Sequence, residues 1–391
     1  MALTELPIGA GNDLYVQTIQ SKMRPSPIQT LVFADRNKVF LPVDKTLYER
    51  NRLNIDNSIA QIVGHRSEAK TIQIKTSTEL VPVKLDKSFE TYTVDVGEWN
   101  NYDDFVKRYT DAYNAAFNAK VPFVMDGALR EMFERFMRSE MMSLGLHFAF
   151  RQWNLRQAKH NSLLSTGRWD YNDSQNSPVF IDYGVTAKPV TIPWSQIDNA
   201  KPLTDLDNAI EAMQANQQVP RLIFMGVNAC RYFERNTKEV QARSIALGGV
   251  VNIPGTVINA DISLTRSMMD VDAGYREVGT YRGIPIYCIS KKVSVPTKAG
   301  SNLLVETFDA NAVSLVALES VLTANNFTDV YGDLGFWAGE NNTERIVVTG
   351  REWYAYHGRV SSDSQRKDYF CMSKHAPVLE DAKALHILNI A

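Results

Sequence analysis

The chain has 391 residues, three cysteines, 22% charged residues and a formal net charge of −2. That length exceeds the roughly 100–200 residues of one domain and predicts two packed lobes. The near-neutral charge argues against a protein that grips nucleic acid through a basic surface. No run of about 18 apolar residues exists to span a membrane, and the start lacks the basic-then-apolar pattern of a secretory signal. Cys230, Cys288 and Cys371 form no CxxC pair, which argues against a disulfide scaffold and fits a reducing cytoplasm.

Residues 1–60 carry Pro25, Pro27 and Pro42 without clear periodicity, so they read as an extended arm that must lie on its own body or on a neighbour. Between Gln61 and Gly97, Thr71–Lys75 and Glu90–Val96 alternate apolar and polar residues, with Leu80, Val81, Val83 and Leu85 between them. This predicts a long two-stranded excursion. A hairpin standing alone is marginal in water, so a partner subunit is expected to cover it. Phe105, Tyr109, Tyr113 and Phe117 predict a helix over 102–119. A second helix, capped by Asp126, is predicted to run unbroken over 126–159, with Gly145 as its weak point. It would be roughly 50 Å long, a structural spine.

Residues 165–176 are polar and rich in turn formers, and Pro178–Gly184 reads as a strand. Thr204 is expected to start a helix with Leu206, Ile210 and Met213 on one face. Arg221–Gly226 reads as a buried strand, and Asn228 as the cap of a helix reaching about Val240. This strand–helix alternation predicts an α/β lobe. Strands are also expected around Gly283, over 308–318, and at Ile346, Trp353 and Tyr369.

Chemistry was sought along the same path. Gly64–Thr71 looks like a phosphate loop but has Ala69 where the second glycine belongs, and a strand follows it. The six histidines show no metal-ligand spacing, and no GxSxG elbow occurs. Cys230 near a helix start reads as a small buried hydrophobe. Arg130, Arg135, Arg138, Arg151 and Arg156 alternate with Glu131, Glu134 and Glu140, which reads as a solvated or interfacial ion-paired face. No catalytic, cofactor or metal residue is therefore expected.

Several phrases, in order, resemble the major capsid proteins of tailed phages, in particular the lambda-type branch of the Hong Kong 97-like capsid fold. They are Pro178-Val-Phe-Ile-Asp-Tyr-Gly, Trp194, the Leu203–Met213 helix, Pro220 with Leu222-Ile-Phe, and Gly279-Thr-Tyr-Arg-Gly-Ile-Pro-Ile-Tyr. Val330-Tyr-Gly, Trp353 and Lys374-His-Ala-Pro-Val-Leu complete the series. The resemblance implies an α+β chain divided into an N-terminal arm (1–60) and an extended β-hairpin loop (61–98). A peripheral domain (99–193) holding the spine helix follows, then an axial domain (194–338), and the chain returns to the periphery over 339–391. It implies a shell subunit without enzymatic activity, made in the bacterial host cytoplasm and resident in the virion.

Its implied partners are identical subunits in hexamers and pentamers, a scaffolding protein, a portal and a decoration protein. The packaged double-stranded DNA would be enclosed without sequence-specific binding, and no membrane is involved. The start at Met1, with no long helical prefix, implies that the scaffolding protein is separate. Expected subunit-interface residues are Arg66, Glu68, Lys70, Lys75, Glu79, Lys84 and Lys87 on the loop, and Arg135, Arg138 and Glu140 on the spine. The alternatives are an encapsulin-like nanocompartment shell, which shares the fold, and a two-lobed cytoplasmic enzyme with a site near Cys230.

Overall fold

The computed structural model describes residues 18, 21–41, 47–53, 78–171, 179–241, 262–265, 267–296, 302–319, 325–338, 344–348, 352–360 and 366–391. Three helices follow one another along the chain: α1 (Val96–Asn118), α2 (Gly127–Met137) and α3 (Glu140–Thr166). The aromatic spacing of α1 does what it predicts. Phe105 stacks on Phe136 of α2 at 5.0 Å between ring centroids, and Tyr109 meets Phe123 edge-on at 5.1 Å. Farther along the same stripe, Phe117 is 74% exposed.

The expected single helix over 126–159 is two. Asp126 caps α2 through the Leu129 N–H at 2.7 Å, as predicted, but the helix stops at Arg138. Ser139 then takes an extended conformation, and its hydroxyl accepts the Met142 N–H at 3.2 Å. A serine able to satisfy a first-turn donor favours a new helix start over continuation. Gly145 does not interrupt α3, which runs 27 residues to Gly167, about 40 Å at the standard rise. Gly167 ends it with a φ of 70°, and a Cβ there would meet the Val185 carbonyl at 2.6 Å. Of the range 165–176 read as turn-rich, 165–171 instead carry the last turn of α3 and a strand, Arg168–Tyr171, that pairs with Val179–Asp182; the rest lies outside the described residues.

Leu222–Gly226 is apolar throughout, a pattern that suits a strand covered on both faces, and all five residues are buried. It occupies the middle of a seven-stranded sheet ordered Lys188–Pro189, Leu385–Asn389, Ala312–Val316, Leu222–Gly226, Ile284–Ile289, Tyr275–Tyr281, Ile262–Leu264. Helices α4 (Pro202–Ala215) and α5 (Val227–Arg235) add their apolar faces to the same core. Thr204 does not cap α4. Pro202 opens it, and Glu239 accepts both the Leu203 N–H and the Thr204 hydroxyl at 2.8 Å, so the cap arrives from another element. Gly226, not Asn228, precedes α5, because a Cβ at Gly226 would lie 2.1 Å from the Asp309 carbonyl. Nor does α5 reach Val240. Asn236 breaks it and restarts a turn by accepting the Glu239 N–H at 2.8 Å.

A second, five-stranded sheet is centred on Arg366–Leu379, which pairs with Phe327–Tyr331, Trp353–Val360 and Asp86–Asp95. Lys38–Phe40 lies parallel to Phe327–Tyr331. Helix α3 touches both sheets. Lys159 donates to the His375 carbonyl, and the Ser314 hydroxyl donates to the Leu164 carbonyl, each at 2.6 Å. α3 is thus the common wall of the two sheets.

Three expected blocks divide differently. Within 1–60, the turn Ile28–Val32 and Phe33 are built into the body, with Ile28, Val32 and Phe33 fully buried. The two-stranded ribbon pairs Leu47–Leu53 with Thr78–Lys84, so its first strand comes from the expected arm. The expected strand Thr71–Lys75 lies outside the described residues, while residues 86–95 join the five-stranded sheet and Val96 opens α1. The ten ladder pairs this strand makes with Arg366–His375 outweigh what a free hairpin offers. Finally, Phe327–Tyr331 belongs to the five-stranded sheet, while the last strand, Leu385–Asn389, joins the seven-stranded one beside Ala312–Val316.

Candidate functional site

Two periodicities bring a charge cluster together where the N-terminal segment, α3 and the five-stranded sheet meet. Arg156 and His160, four apart on α3, share a helix face. Asp329 and Tyr331, two apart, share a sheet face, and His375 is the register partner of Tyr331 on the neighbouring strand. Asp329 is fully buried. Its Oδ1 accepts from His160 Nε2 at 3.1 Å and His375 Nε2 at 2.5 Å. Its Oδ2 accepts from Arg156 Nη2 at 2.8 Å, Arg156 Nε at 3.1 Å and the Tyr331 hydroxyl at 2.7 Å. Arg156 also donates to Glu352 at 2.8 Å, and Lys38 pairs with the other oxygen of Glu352.

The N-terminal segment closes the cluster. Phe33 stacks on His160 at 3.9 Å with a 6° interplanar angle. Gln29 Nε2 donates to His160 Nδ1 at 3.3 Å, which leaves the His160 proton on Nε2, facing Asp329. Burial pushes the His160 imidazole down, and pushes His375 down to about 3, so both stay neutral donors. Burial works against ionisation of Asp329, but His375, His160 and Arg156 outweigh it and hold the carboxyl well below its ordinary value.

His160, Asp329 and His375 are also the one group among the described residues with metal-ligand spacing. They do not fit a metal. Arg156 already balances the carboxylate, and both imidazoles use as donors the Nε2 atoms that a metal would need as lone pairs. A cavity of about 440 Å³ flanks the cluster, lined in part by Met23, Lys38, Trp153, Arg156, Glu352 and Ser373. Its charged groups pair with one another, and the Ser373 hydroxyl donates to Gln152 at 2.6 Å, so among the described residues that line it no nucleophile–base pair is assembled. What the arrangement does is hold five separate chain segments in one place.

The described residues among those expected at subunit interfaces lie on separate elements. Arg66, Glu68, Lys70 and Lys75 lie outside the described residues. Glu79 and Lys84 sit on the ribbon strand Thr78–Lys84. Lys87 sits in the five-stranded sheet opposite Lys374, off the ribbon, because Asp86–Asp95 has left it. Arg135 is exposed on α2 and paired with Glu131 at 2.5 Å. Arg138 is the residue at which α2 stops, and Glu140 opens α3. Arg156, read from sequence as part of a solvated or interfacial face, is instead 11% exposed at its side chain and part of the cluster. The sequence signal for it was the Arg156–His160 spacing, but Asp329 and His375 lie far along the chain and no local pattern links them.

No family model matches the chain, and no curated protein does. Among solved structures, it is similar to a prophage protein of Escherichia coli CFT073 assigned as the capsid protein, at 12% identity and a TM-score of 0.52 over 97% of this chain and 99% of that one. A phage-related protein of Bordetella bronchiseptica RB50 gives 11% identity and a TM-score of 0.43 over 100% and 99% of the two chains. The encapsulin SrpI of Synechococcus elongatus PCC 7942 gives 13% and 0.40 over 100% and 96%. The likeness to the prophage protein embraces both sheets and the helices between them, and this chain of mixed helix and sheet has the fold of a phage capsid protein.

Proposed function

We propose that the chain is the major capsid protein of a tailed phage, a subunit that assembles with copies of itself into an icosahedral head shell around double-stranded DNA. The observation that carries this reading is the near end-to-end fold likeness to the prophage capsid protein. The architecture supports it. The ribbon of Leu47–Leu53 with Thr78–Lys84 pairs with no further strand among the described residues, as a strand pair that a neighbouring copy completes would. In this reading the ribbon is the extended loop and lies over a neighbouring subunit. The seven-stranded lobe is the axial domain and packs around five-fold and six-fold axes in pentamers and hexamers, a contact that closes by rotation. Helices α1–α3 and the five-stranded sheet form the peripheral domain. A separate scaffolding protein, a portal and a decoration protein complete the head.

The ribbon offers the sharpest test. Arg50 and Val81 are register partners, so deleting 51–80 and joining them through a two-residue Asn-Gly turn shortens the ribbon without pulling on either sheet. The variant is expected to fold, with unchanged circular dichroism and thermal midpoint, and to form no shells by sedimentation and electron microscopy when co-expressed with the neighbouring genes. Normal shells from it would reject the role given to the ribbon.

A further inference from the structure

We infer that the N-terminal segment 26–33 is an acid-released strap: a proton on His160 unseats it from α3 while the rest of the subunit stays folded. The seat is polar at its centre and apolar around it. Ile28, Val32 and Phe33 are fully buried, and Phe33 lies flat on the His160 ring. Gln29 supplies the polar contact. Its Nε2 donates to His160 Nδ1 at 3.3 Å, while its Oε1 accepts the Ser26 N–H at 2.9 Å and also the Ser26 hydroxyl. His160 Nε2 is committed to Asp329 at 3.1 Å. A proton added to the neutral ring therefore lands on Nδ1, where it faces another donor. Gln29 cannot answer by turning its amide over, because its nitrogen would then face the Ser26 N–H.

The groups around the ring do not rescue an imidazolium. Arg156 and Lys159 stand beside it on α3, Asp329 and Tyr331 on the strand Phe327–Tyr331, and His375 on Arg366–Leu379. Lys38 and Glu352 lie one ion pair farther out, beyond Arg156. Asp329 attracts the charge, but Arg156 already balances that carboxylate at 2.8 Å. The stacked Phe33 face attracts a cation weakly and offers Nδ1–H no acceptor. Burial outweighs these attractions and pushes the His160 imidazole down. Lifting the strap reverses the balance: water solvates Nδ1–H, and the ring returns toward the ordinary histidine value of about 6.5. Opening thus takes up a proton below about pH 6.5 and none above it, so acid favours the lifted state. The cavity beside the cluster is lined by Gln29 and Thr30 of the strap and by His375, so that edge of the strap can part from the body without opening either sheet.

The strap does not depend on the shell reading. It is tested on the purified full-length chain by hydrogen–deuterium exchange between pH 7.5 and 5, corrected for the intrinsic pH dependence of amide exchange. The Thr30 N–H, held by the Ser26 carbonyl at 3.1 Å, and the Phe33 N–H, held by the Ile28 carbonyl at 3.0 Å, report on the strap; the buried strand Leu222–Gly226 reports on global unfolding. Protection over 26–33 is expected to fall about tenfold per pH unit below 6.5 and to recover on return to pH 7.5. At pH 5.5 it is expected to lie about tenfold or more below that of Leu222–Gly226, as a local opening requires. In Gln29→Glu a carboxylate oxygen takes the place of Nε2 and accepts the Nδ1 proton, so the fall is expected to vanish or reverse. Should that variant not fold, the wild-type profile decides alone. Protection of 26–33 that is flat with pH, exchange in step with Leu222–Gly226 at every pH, or a Gln29→Glu profile like that of the wild type would overturn the inference.

Discussion

At Asp329 a single buried carboxylate receives five donor atoms from four side chains. Removing one partner of such a pair leaves an uncompensated charge, which costs more than the pair contributes. Asp329→Asn is therefore expected to destabilise the subunit by about 3–5 kcal/mol, measured by urea unfolding. The two imidazoles set the pH response. Both bind protons less readily when folded than the ordinary histidine value of about 6.5, His375 only near 3. The unfolded chain thus binds more protons as pH falls below 6.5, and stability declines from there toward pH 3. His375 alone accounts for about 2 kcal/mol between pH 6.5 and 5. Denaturant midpoints across pH 5–8 check this, and a midpoint flat down to pH 5 would contradict it. None of this was legible beyond the Arg156–His160 spacing, because strand Phe327–Tyr331 and His375 reach α3 only through the tertiary fold.

At the scale of elements, patterns that carry their own physics could be read directly. The all-apolar Leu222–Gly226 strand, the four-residue aromatic spacing of α1 and the Asp126 cap all appear as their residues predict. Errors arose where a local preference competed with a stronger pattern. The apolar stripe of 126–159 continues across Arg138 and Ser139, yet the serine cap divides it. Ser139→Ala is expected to cost about 1 kcal/mol and to speed hydrogen exchange at the Met142 amide. Partnerships between distant segments were equally hidden. The alternation in Glu90–Asp95 correctly signals a strand, but nothing in it says that the partner is Arg366–His375 rather than the preceding ribbon.

For the whole molecule, the order of short phrases along the sequence points to the capsid fold, and the likeness to the prophage protein agrees. The division of the chain was harder to read, because the sheets exchange strands. The N-terminal segment and Phe327–Tyr331 belong with one sheet, the C-terminal strand with the other. Such interleaving, fastened by α3 and the Asp329 cluster, gives a subunit in which the lobes do not separate along the sequence. A ribbon that pairs with no further strand among the described residues, on a body so tied down, is suited to completion by another copy. Electron microscopy of the chain co-expressed with its neighbouring genes tests this most directly. Closed icosahedral shells, with the 47–53/78–84 ribbon of each subunit lying on its neighbour, are predicted; a monomer with that ribbon folded onto its own body, and no particles, would contradict it.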